Sequence, residues 1–136
     1  MKTGILYTLA AGLGIILFTA CKKDKKEEKA TVTGYYQGYI QAATGGSVLN
    51  IGILHRNNST SRLYQFPTGV ADTAQVSANA VEGVWSLTGN AYHCVFSKDN
   101  NTVTFDATVT APGNKIEGNF QQSGVSINGT FVLNKK

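Results

Sequence analysis

The sequence predicts an all-β fold: an antiparallel up-and-down meander of eight or nine short strands that closes into a small barrel. Apolar and polar residues alternate with a period of two over most of residues 31–136, and turn residues recur every eight to twelve positions. Consecutive turns also set strand registers that agree with one another. A two-sheet β-sandwich is the alternative, because so many strands must either close or stack to protect their edges.

The first two strands of this domain are predicted from a somewhat irregular alternation. A loop at Ala43–Gly46 joins them, and it places Tyr36 opposite Ile53 and Gly34 opposite His55. Because neighbouring strand residues point to opposite faces, all four positions share the inward face.

A third strand is predicted over Ser61–Phe66, with Tyr64 and Phe66 turned inward. A Pro-Thr-Gly sequence at residues 67–69 ends it, since proline cannot donate to a strand ladder. Thr73–Asn79 is a candidate fourth strand, which is why the predicted count is eight or nine.

The C-terminal strands follow from a series of hairpin turns. A two-residue turn at Gly89-Asn90 puts Trp85 opposite Cys94. The turns that follow are Asp99-Asn100, Ala111–Asn114 and Ser123-Gly124. The last of them sets Phe120 opposite Ile127 in the predicted register.

A short pattern recurs four times in the domain: a β-branched residue, then glycine two positions on, then an aromatic residue two positions after that. The copies are Val32–Tyr36, Val81–Trp85, Ile116–Phe120 and Ile127–Phe131. In the predicted register the last two copies face each other, with Gly118 opposite Gly129. Glycine inside a strand marks a bend or the close approach of another backbone. We therefore interpret the repeat as a device for sheet curvature and not as a repeated binding motif.

Residues 1–20 have the pattern of a secretory signal peptide. Lys2 supplies a positive start, and Gly4–Ala20 is uncharged and mostly apolar. Leu17–Cys21, L-F-T-A-C, resembles the lipobox of bacterial lipoproteins, whose cysteine is acylated and becomes the first mature residue. The resemblance implies that acyl chains such as palmitate anchor Cys21 in a lipid bilayer. An uncleaved signal-anchor helix is the alternative, although the apolar run is at the lower limit for spanning a membrane.

Residues 21–30 are predicted to be the lipidated cysteine and a charged, flexible tether. Residues 1–30 hold six lysines and three acidic residues, so they account for +3 of the formal net charge of +4. Residues 31–136 hold six basic and five acidic residues and are nearly neutral. They lack the clustered basic residues that nucleic-acid binding requires. The charged stretch resembles surface-export signals of Bacteroidota lipoproteins, which implies the periplasmic face or the outer surface of the outer membrane.

The predicted meander is similar to the small lipocalin-like and avidin-like barrels that occur among Bacteroidota lipoproteins. This resemblance covers residues 31–136 and rests on the glycine-x-aromatic strands. It implies an extracytoplasmic protein whose barrel lumen holds a small apolar or amphipathic ligand, but it assigns no ligand-contacting residue. The alternative is a structural, accessory or inhibitor-like lipoprotein with a filled barrel. Such a protein would act on a partner through its exterior, where Tyr35 and Tyr39 are expected.

Residues that carry catalytic or metal chemistry are few and dispersed. His93 and Cys94 are adjacent on one strand, so they point to opposite faces and do not share a metal ion. Asp106 and Glu117 are expected on the wet exterior, and Cys94 is expected to be a buried thiol without a disulfide partner. The sequence therefore predicts no catalytic residue, metal site or cofactor, and a binding protein in preference to an enzyme.

Four polar residues have inward parity at the ends of predicted strands. They are His55, Arg62, Lys98 and Gln122. His55 and Arg62 are expected to be cross-strand neighbours that flank a loop at Asn57–Thr60. We interpret them as one rim around the mouth of a pocket for an anionic or amphipathic ligand. The alternative is that these residues are polar only because the ends of strands are exposed to solvent.

One further motif lies in the loop that is predicted after the third strand. Asp72-Thr73-Ala74 resembles the Asp-Ser/Thr-apolar sequon for O-glycosylation in Bacteroidota. The resemblance makes Thr73 a candidate for O-glycosylation.

Overall fold

A computed structural model describes residues 28–66 and 79–136, and these residues form eight antiparallel strands. The strands are β1 (Gly34–Ala42), β2 (Leu49–His55), β3 (Thr60–Phe66), β4 (Val81–Thr88), β5 (Ala91–Lys98), β6 (Asn101–Thr108), β7 (Lys115–Gln122) and β8 (Ile127–Lys135). Each strand pairs with the next, and β1 also pairs with β8, so the sheet closes into a barrel. The predicted all-β meander and its closure into a barrel are confirmed, and the alternative of a two-sheet sandwich is wrong. The candidate strand at Thr73–Asn79 falls almost entirely outside the described residues.

Most of the predicted registers are confirmed. Tyr36 pairs with Ile53 and Gly34 with His55 in the first hairpin. Trp85 pairs with Cys94 across the Gly89-Asn90 turn, as predicted. The same inward row continues through Phe105 on β6 to Phe120 on β7.

The predicted register between β7 and β8 is wrong by two residues. Phe120 pairs with Gly129 and Gly118 with Phe131, whereas Ile127 pairs with Gln122. The connection is a four-residue turn over residues 123–126 instead of the two-residue turn at Ser123-Gly124. A shift of two residues keeps every side chain on the same face, so the interior is preserved. Ile127 moves to the end of the barrel, where it is 40% exposed.

The predicted register between β2 and β3 is wrong by one residue. The Arg56 N–H donates to the Thr60 carbonyl at 2.9 Å, which leaves a three-residue loop with Ser59 at a φ of 63°. This is the hairpin type in which a turn is followed by a left-handed residue. His55 consequently pairs with Ser61 and not with Arg62.

That difference turns the side chains of β3 over, because an odd shift exchanges the two faces of a strand. Leu63 points into the barrel, whereas Tyr64 and Phe66 lie on its outside, contrary to the prediction. Both aromatic rings are nevertheless buried, in a small outer cluster with the half-buried residues Tyr35, Leu54 and Ala80.

The barrel interior is packed with apolar side chains. Phe105 lies near its centre, with ring centroids 6.0 Å from Phe96, 6.3 Å from Phe120 and 5.0 Å from Phe131. These edge-on and tilted geometries are the favoured ones for aromatic pairs. The other fully or nearly buried members of this core are Val32, Tyr36, Ile51, Ile53, Leu63, Tyr92, Cys94, Val109, Ile116 and Leu133.

One end of the barrel is covered by the segment that precedes β1, and we call it the closed end. Val32 is fully buried there, and the Thr31 N–H donates to the Pro112 carbonyl at 3.2 Å. The Tyr36 hydroxyl donates to the Gly113 carbonyl at 2.6 Å. The β6–β7 loop and the entering chain therefore seal this end together. At the opposite end, the open end, β3, β5 and β7 finish and β4, β6 and β8 begin.

Two of the motif glycines, Gly118 and Gly129, lie close to the backbone of a neighbouring strand. A Cβ atom at Gly118 would lie against the Asp106 carbonyl oxygen, and one at Gly129 against the Gln41 carbonyl oxygen. The obstacles are backbone atoms of the adjacent strands, which cannot rotate away. The interpretation of these glycines as sites of tight sheet coiling thus has a steric basis.

Replacing Gly118 with alanine is therefore expected to destabilise the barrel. We expect the Gly118→Ala variant to lose about 1–3 kcal/mol of unfolding free energy, which is the usual cost of overpacking. Denaturant titration measures this loss. The matched control is Asn119→Ala at the next, exposed position, which should change stability by less than about 0.5 kcal/mol. Equal stabilities of the two variants would contradict the steric account.

Candidate functional site

The four residues predicted to form one pocket rim do not come together. Lys98 and Gln122 lie at the open end and line the same depression there. His55 lies near the closed end and is only 1% exposed. Arg62 faces the exterior, because the true β2–β3 register places it opposite Leu54. The prediction of a single inward rim was therefore wrong for two of its four members.

Arg62 belongs to a cluster of charges on the outside of β3 and β4. Its Nε lies 3.4 Å from Oε1 of Glu82, and its guanidinium lies 5.7 Å from the Tyr64 ring centroid. The same carboxylate accepts a hydrogen bond from Arg56 at 2.8 Å. That hydrogen bond lowers the pKa of Glu82. Exposed ion pairs of this kind contribute little to the free energy of folding. The main effect of the cluster is to orient these side chains on the surface.

The open end of the barrel contains a cup of about 370 Å³, which we call the open-end cup. Its floor consists of the inward apolar residues Leu63, Val81, Phe96 and Val103. Its rim consists of Gln65, Asn79, Lys98, Asp99, Asn101 and Gln122. Small-molecule pockets are typically about 300–1,000 Å³, with mostly apolar walls and a few polar groups. The cup is at the lower end of this range and has that composition.

The strand pattern produces this arrangement directly. Inward positions are apolar along most of β5 and β7, and the last inward residue of each, Lys98 and Gln122, is polar. The turn after Lys98 is made by Asp99 and Asn100, both with positive φ (51° and 63°), as a tight hairpin requires. This turn pairs Lys98 with Asn101 across the rim. An ammonium and several amides thus surround an apolar floor.

Below the floor of the cup the barrel is filled. Phe96 is 2% exposed, and the deeper Phe105 and Phe120 are also buried. Trp85 is half-buried, and its indole N–H donates to the Arg56 carbonyl at 3.0 Å. A small molecule can contact the floor of the cup, but these side chains occupy the space beneath it.

His55 takes part in a buried polar chain that the sequence did not reveal. Its Nδ1 lies 2.6 Å from the Ser61 hydroxyl, and its Nε2 lies 3.1 Å from the Tyr92 hydroxyl. The Cys94 thiol donates to the same serine oxygen, with the heavy atoms 3.7 Å apart. The rings of Tyr36 and Tyr92 also pack edge-on against the imidazole. Correct assignment of the three-residue β2–β3 loop would have placed Ser61 beside His55.

Burial determines the protonation states in this chain. Loss of solvation lowers the pKa of His55 to about 4 and raises the pKa of the Cys94 thiol to about 11. The imidazole is therefore neutral and the thiol protonated at neutral pH. A neutral imidazole donates from one nitrogen and accepts at the other, so it can link the Ser61 and Tyr92 hydroxyls. The polar groups of these side chains thus bond to one another, and the apolar core encloses them. The predicted buried, free state of Cys94 is confirmed.

His93 lies on the opposite face of β5 from Cys94, as predicted. Its Nδ1 lies 2.6 Å from Oδ1 of Asp106, and both side chains are more than half exposed. Glu117 is also exposed and lies beside Lys115 on the outside of β7. In residues 28–66 and 79–136, no three His, Cys, Asp or Glu side chains are grouped so as to hold a metal ion.

The other predicted features of the chain fall outside the described residues. Cys21 and Thr73 are among them, so their modification stays a prediction. Within the described part of the chain, no helix has the length and apolar character needed to cross a bilayer.

The neutral state of His55 predicts a specific acid sensitivity. The folded pKa is depressed from 6.5 to about 4, so the stability that His55 contributes is fully present above pH 6.5. It is lost as the pH falls toward 4, up to about 3 kcal/mol for a shift of this size. We expect denaturant titrations of the wild type and His55→Gln at pH 7.5, 5.5 and 4.5 to show a steeper loss in the wild type. Asn134→Ala, at an exposed position without a titratable side chain, is the control and should keep the wild-type slope, whereas parallel slopes for the wild type and His55→Gln would contradict the prediction.

No protein-family model matches the chain, and a search of curated proteins finds none with significant similarity to it. The geometry of the barrel and the chemistry of its surfaces are therefore the grounds for assigning a function.

Proposed function

We propose that the protein is a lipid-anchored, extracytoplasmic binding protein whose barrel holds a small amphipathic ligand in the open-end cup. The observation that carries this proposal is an apolar floor beneath a polar rim, above an interior that is already filled. Ligand binding is therefore confined to the mouth of the barrel, unlike the lumen binding expected from the lipocalin-like resemblance.

The chemistry of the cup selects the ligand class. The buried side of a ligand would rest on Leu63, Phe96 and Val103, which offer apolar contacts only. A carboxylate or another anionic group would lie near the Lys98 ammonium, which donates hydrogen bonds as a flexible point charge. Asp99 also borders the cup and disfavours a second anionic group. A compact molecule with one anionic group and a short apolar part fits these surroundings.

The path of the chain favours an outward orientation of the cup. β1 begins and β8 ends at the closed end, so a tether from Cys21 would enter the barrel on that side. Residues 22–29 extend to about 28 Å at most, from the maximum reach of an eight-residue chain. A barrel held in this way would present its closed end to the bilayer and its open end to the surroundings.

A second candidate function is recognition of a partner through the exterior, and the filled interior favours it. Of the two tyrosines predicted there, Tyr39 is 38% exposed on β1. Tyr35 is half-buried, with its ring centroid 6.3 Å from that of Tyr64. The exterior therefore offers Tyr39 as an accessible aromatic contact but not a tyrosine pair.

Binding to the cup can be tested with anilinonaphthalene sulfonate, a fluorescent molecule with one anionic group and an apolar body, and with octanoate as competitor. We expect Lys98→Met to weaken binding of both molecules by about fivefold, which corresponds to about 1 kcal/mol for a partly exposed charge. Val103→Asn, which makes the floor polar, should weaken it further. Lys115→Met at the closed end is the matched control. Binding that is the same in all three variants would place the ligand elsewhere or show that the cup does not bind it.

The lipid anchor can be tested by measuring the intact mass of the wild type and of variants at each of the two cysteines. The intact mass of protein from a host that processes lipoproteins should correspond to residues 21–136 plus acyl chains. Cys21→Ser should abolish both the cleavage and the added mass, because the sulfur is the acylated atom. Cys94→Ser should retain both. A full-length mass without acyl groups in the wild type would support the signal-anchor alternative and contradict the lipoprotein.

A further inference from the structure

The outside of β6, β7 and β8 carries a continuous polar groove, formed by two neighbouring depressions of about 400 and 360 Å³. The two depressions share Gln121 and Asn128. We call this surface the outer groove, and its central polar residues are Thr104, Asp106, Asn119, Gln121, Asn128 and Thr130. Its central residues lie on the opposite face of the sheet from the barrel interior, and the groove shares Gln122 with the rim of the open-end cup.

Strand pairing arranges these side chains in two parallel rows. In one row, Gln121 pairs with Thr104 on one side and with Asn128 on the other. Adjacent strands are about 4.8 Å apart, so each row presents a polar side chain at that interval around the barrel. Because the rows are fixed by the register of a closed sheet, their spacing is set before any ligand arrives.

The second row is longer. Asn119 pairs with Asp106 on β6 and with Thr130 on β8, and Thr130 pairs in turn with Gln41 on β1. His93 holds one carboxylate oxygen of Asp106 at 2.6 Å. This contact orients the carboxylate and leaves its second oxygen for another donor.

The choice of residues in the groove is not explained by solubility alone. Asparagine and aspartate are disfavoured in strands, yet Asn119 and Asp106 occupy interior positions of β7 and β6. Lysine or threonine would keep this surface wet with a smaller conformational cost. Each amide offers two donors and two acceptor sites, and each hydroxyl offers both functions. The groove therefore combines dense donors and acceptors with a single charged group, Asp106.

This composition excludes several classes of ligand. Nucleic acid requires cationic side chains, and no lysine or arginine of residues 28–66 and 79–136 lines either depression. A peptide that binds by strand addition requires a free sheet edge, and β6, β7 and β8, which carry the groove, are each paired on both sides. A lipid requires a broad apolar lining, whereas among the described residues the apolar side chains that line the groove are Ile127, Phe120 and Ala43.

We infer that the outer groove binds a neutral oligosaccharide. The ring hydroxyls of a sugar are both donors and acceptors, as are the amides and hydroxyls of the groove, and Asp106 would accept from a pair of them by charge-assisted hydrogen bonds. Phe120 also borders the second depression, but it is only 4% exposed, so the polar side chains of the groove would make the contacts with the sugar. Two depressions in line accommodate a chain of sugar units better than a single one. The inference depends on neither the open-end cup nor the lipid anchor.

The inference is tested by NMR on the full chain in a detergent without a sugar headgroup. The ligands are the linear hexaoses of glucose, mannose and xylose, and an oligogalacturonate serves as a carboxylated comparison. We expect at least one neutral hexaose to shift the side-chain amide signals of Asn119, Gln121 and Asn128 in a saturable manner. The oligogalacturonate should bind more weakly, because its carboxylates approach Asp106.

Variants separate groove binding from non-specific contact. The double variant Gln121→Ala/Asn128→Ala should weaken binding of the responding hexaose at least tenfold. Asn134→Ala, an exposed asparagine on β8 outside the groove, is the matched control and should leave it unchanged. Lys98→Met should also leave it unchanged, which distinguishes the groove from the cup. The inference is overturned if no neutral hexaose shifts these amides at 10 mM, or if the double variant binds like the control.

Discussion

Closure of the sheet between β1 and β8 is the constraint on which the rest of the structure depends. Seven residue pairs join these two strands, from Tyr36 with Lys135 to Ala42 with Gly129. With the barrel closed, neither β1 nor β8 is left as an edge strand that could pair with another chain. Closure in so short a chain requires tight coiling, and backbone carbonyls of adjacent strands occupy the space that a side chain at Gly118 or Gly129 would need.

The sequence predicted the fold where local chemistry determined the register. Two-residue turns such as Gly89-Asn90 allow few geometries, so the pairing of Trp85 with Cys94 followed from the turn alone. Where loop length was ambiguous, the prediction was less secure. The four-residue turn before Ile127 shifted β8 by two residues without exchanging its faces, because the side-chain period is two.

The candidate site was less predictable, because a single residue of register decides which face a side chain occupies. The loop at residues 57–59 has no glycine to mark its left-handed position, which is taken by Ser59. The prediction gave this loop an even number of residues, whereas it has three. Arg62 was therefore predicted to point inward and Ser61 outward, the reverse of the structure. Lys98 and Gln122, which follow correctly assigned hairpins, were placed at the open end as the structure has them. Parity also could not show that His55 lies at the other end of the barrel and inside the core.

The filled interior and the closed sheet together restrict where this protein can interact with other molecules. Phe105 and the aromatic rings around it occupy the lumen. Within the core, His55 is hydrogen-bonded to the buried Ser61 and Tyr92 hydroxyls. Apart from the partly paired β3 and β4, the strands are paired along most of their length on both sides. Recognition must then come from side chains at the open end or on the outer faces. There the alternation of the strands distinguishes a cup with an apolar floor and both Lys98 and Asp99 on its rim from an amide-rich groove whose charged residue is Asp106. Two surfaces of such different chemistry suit two different ligands, and one closed sheet fixes the position of both.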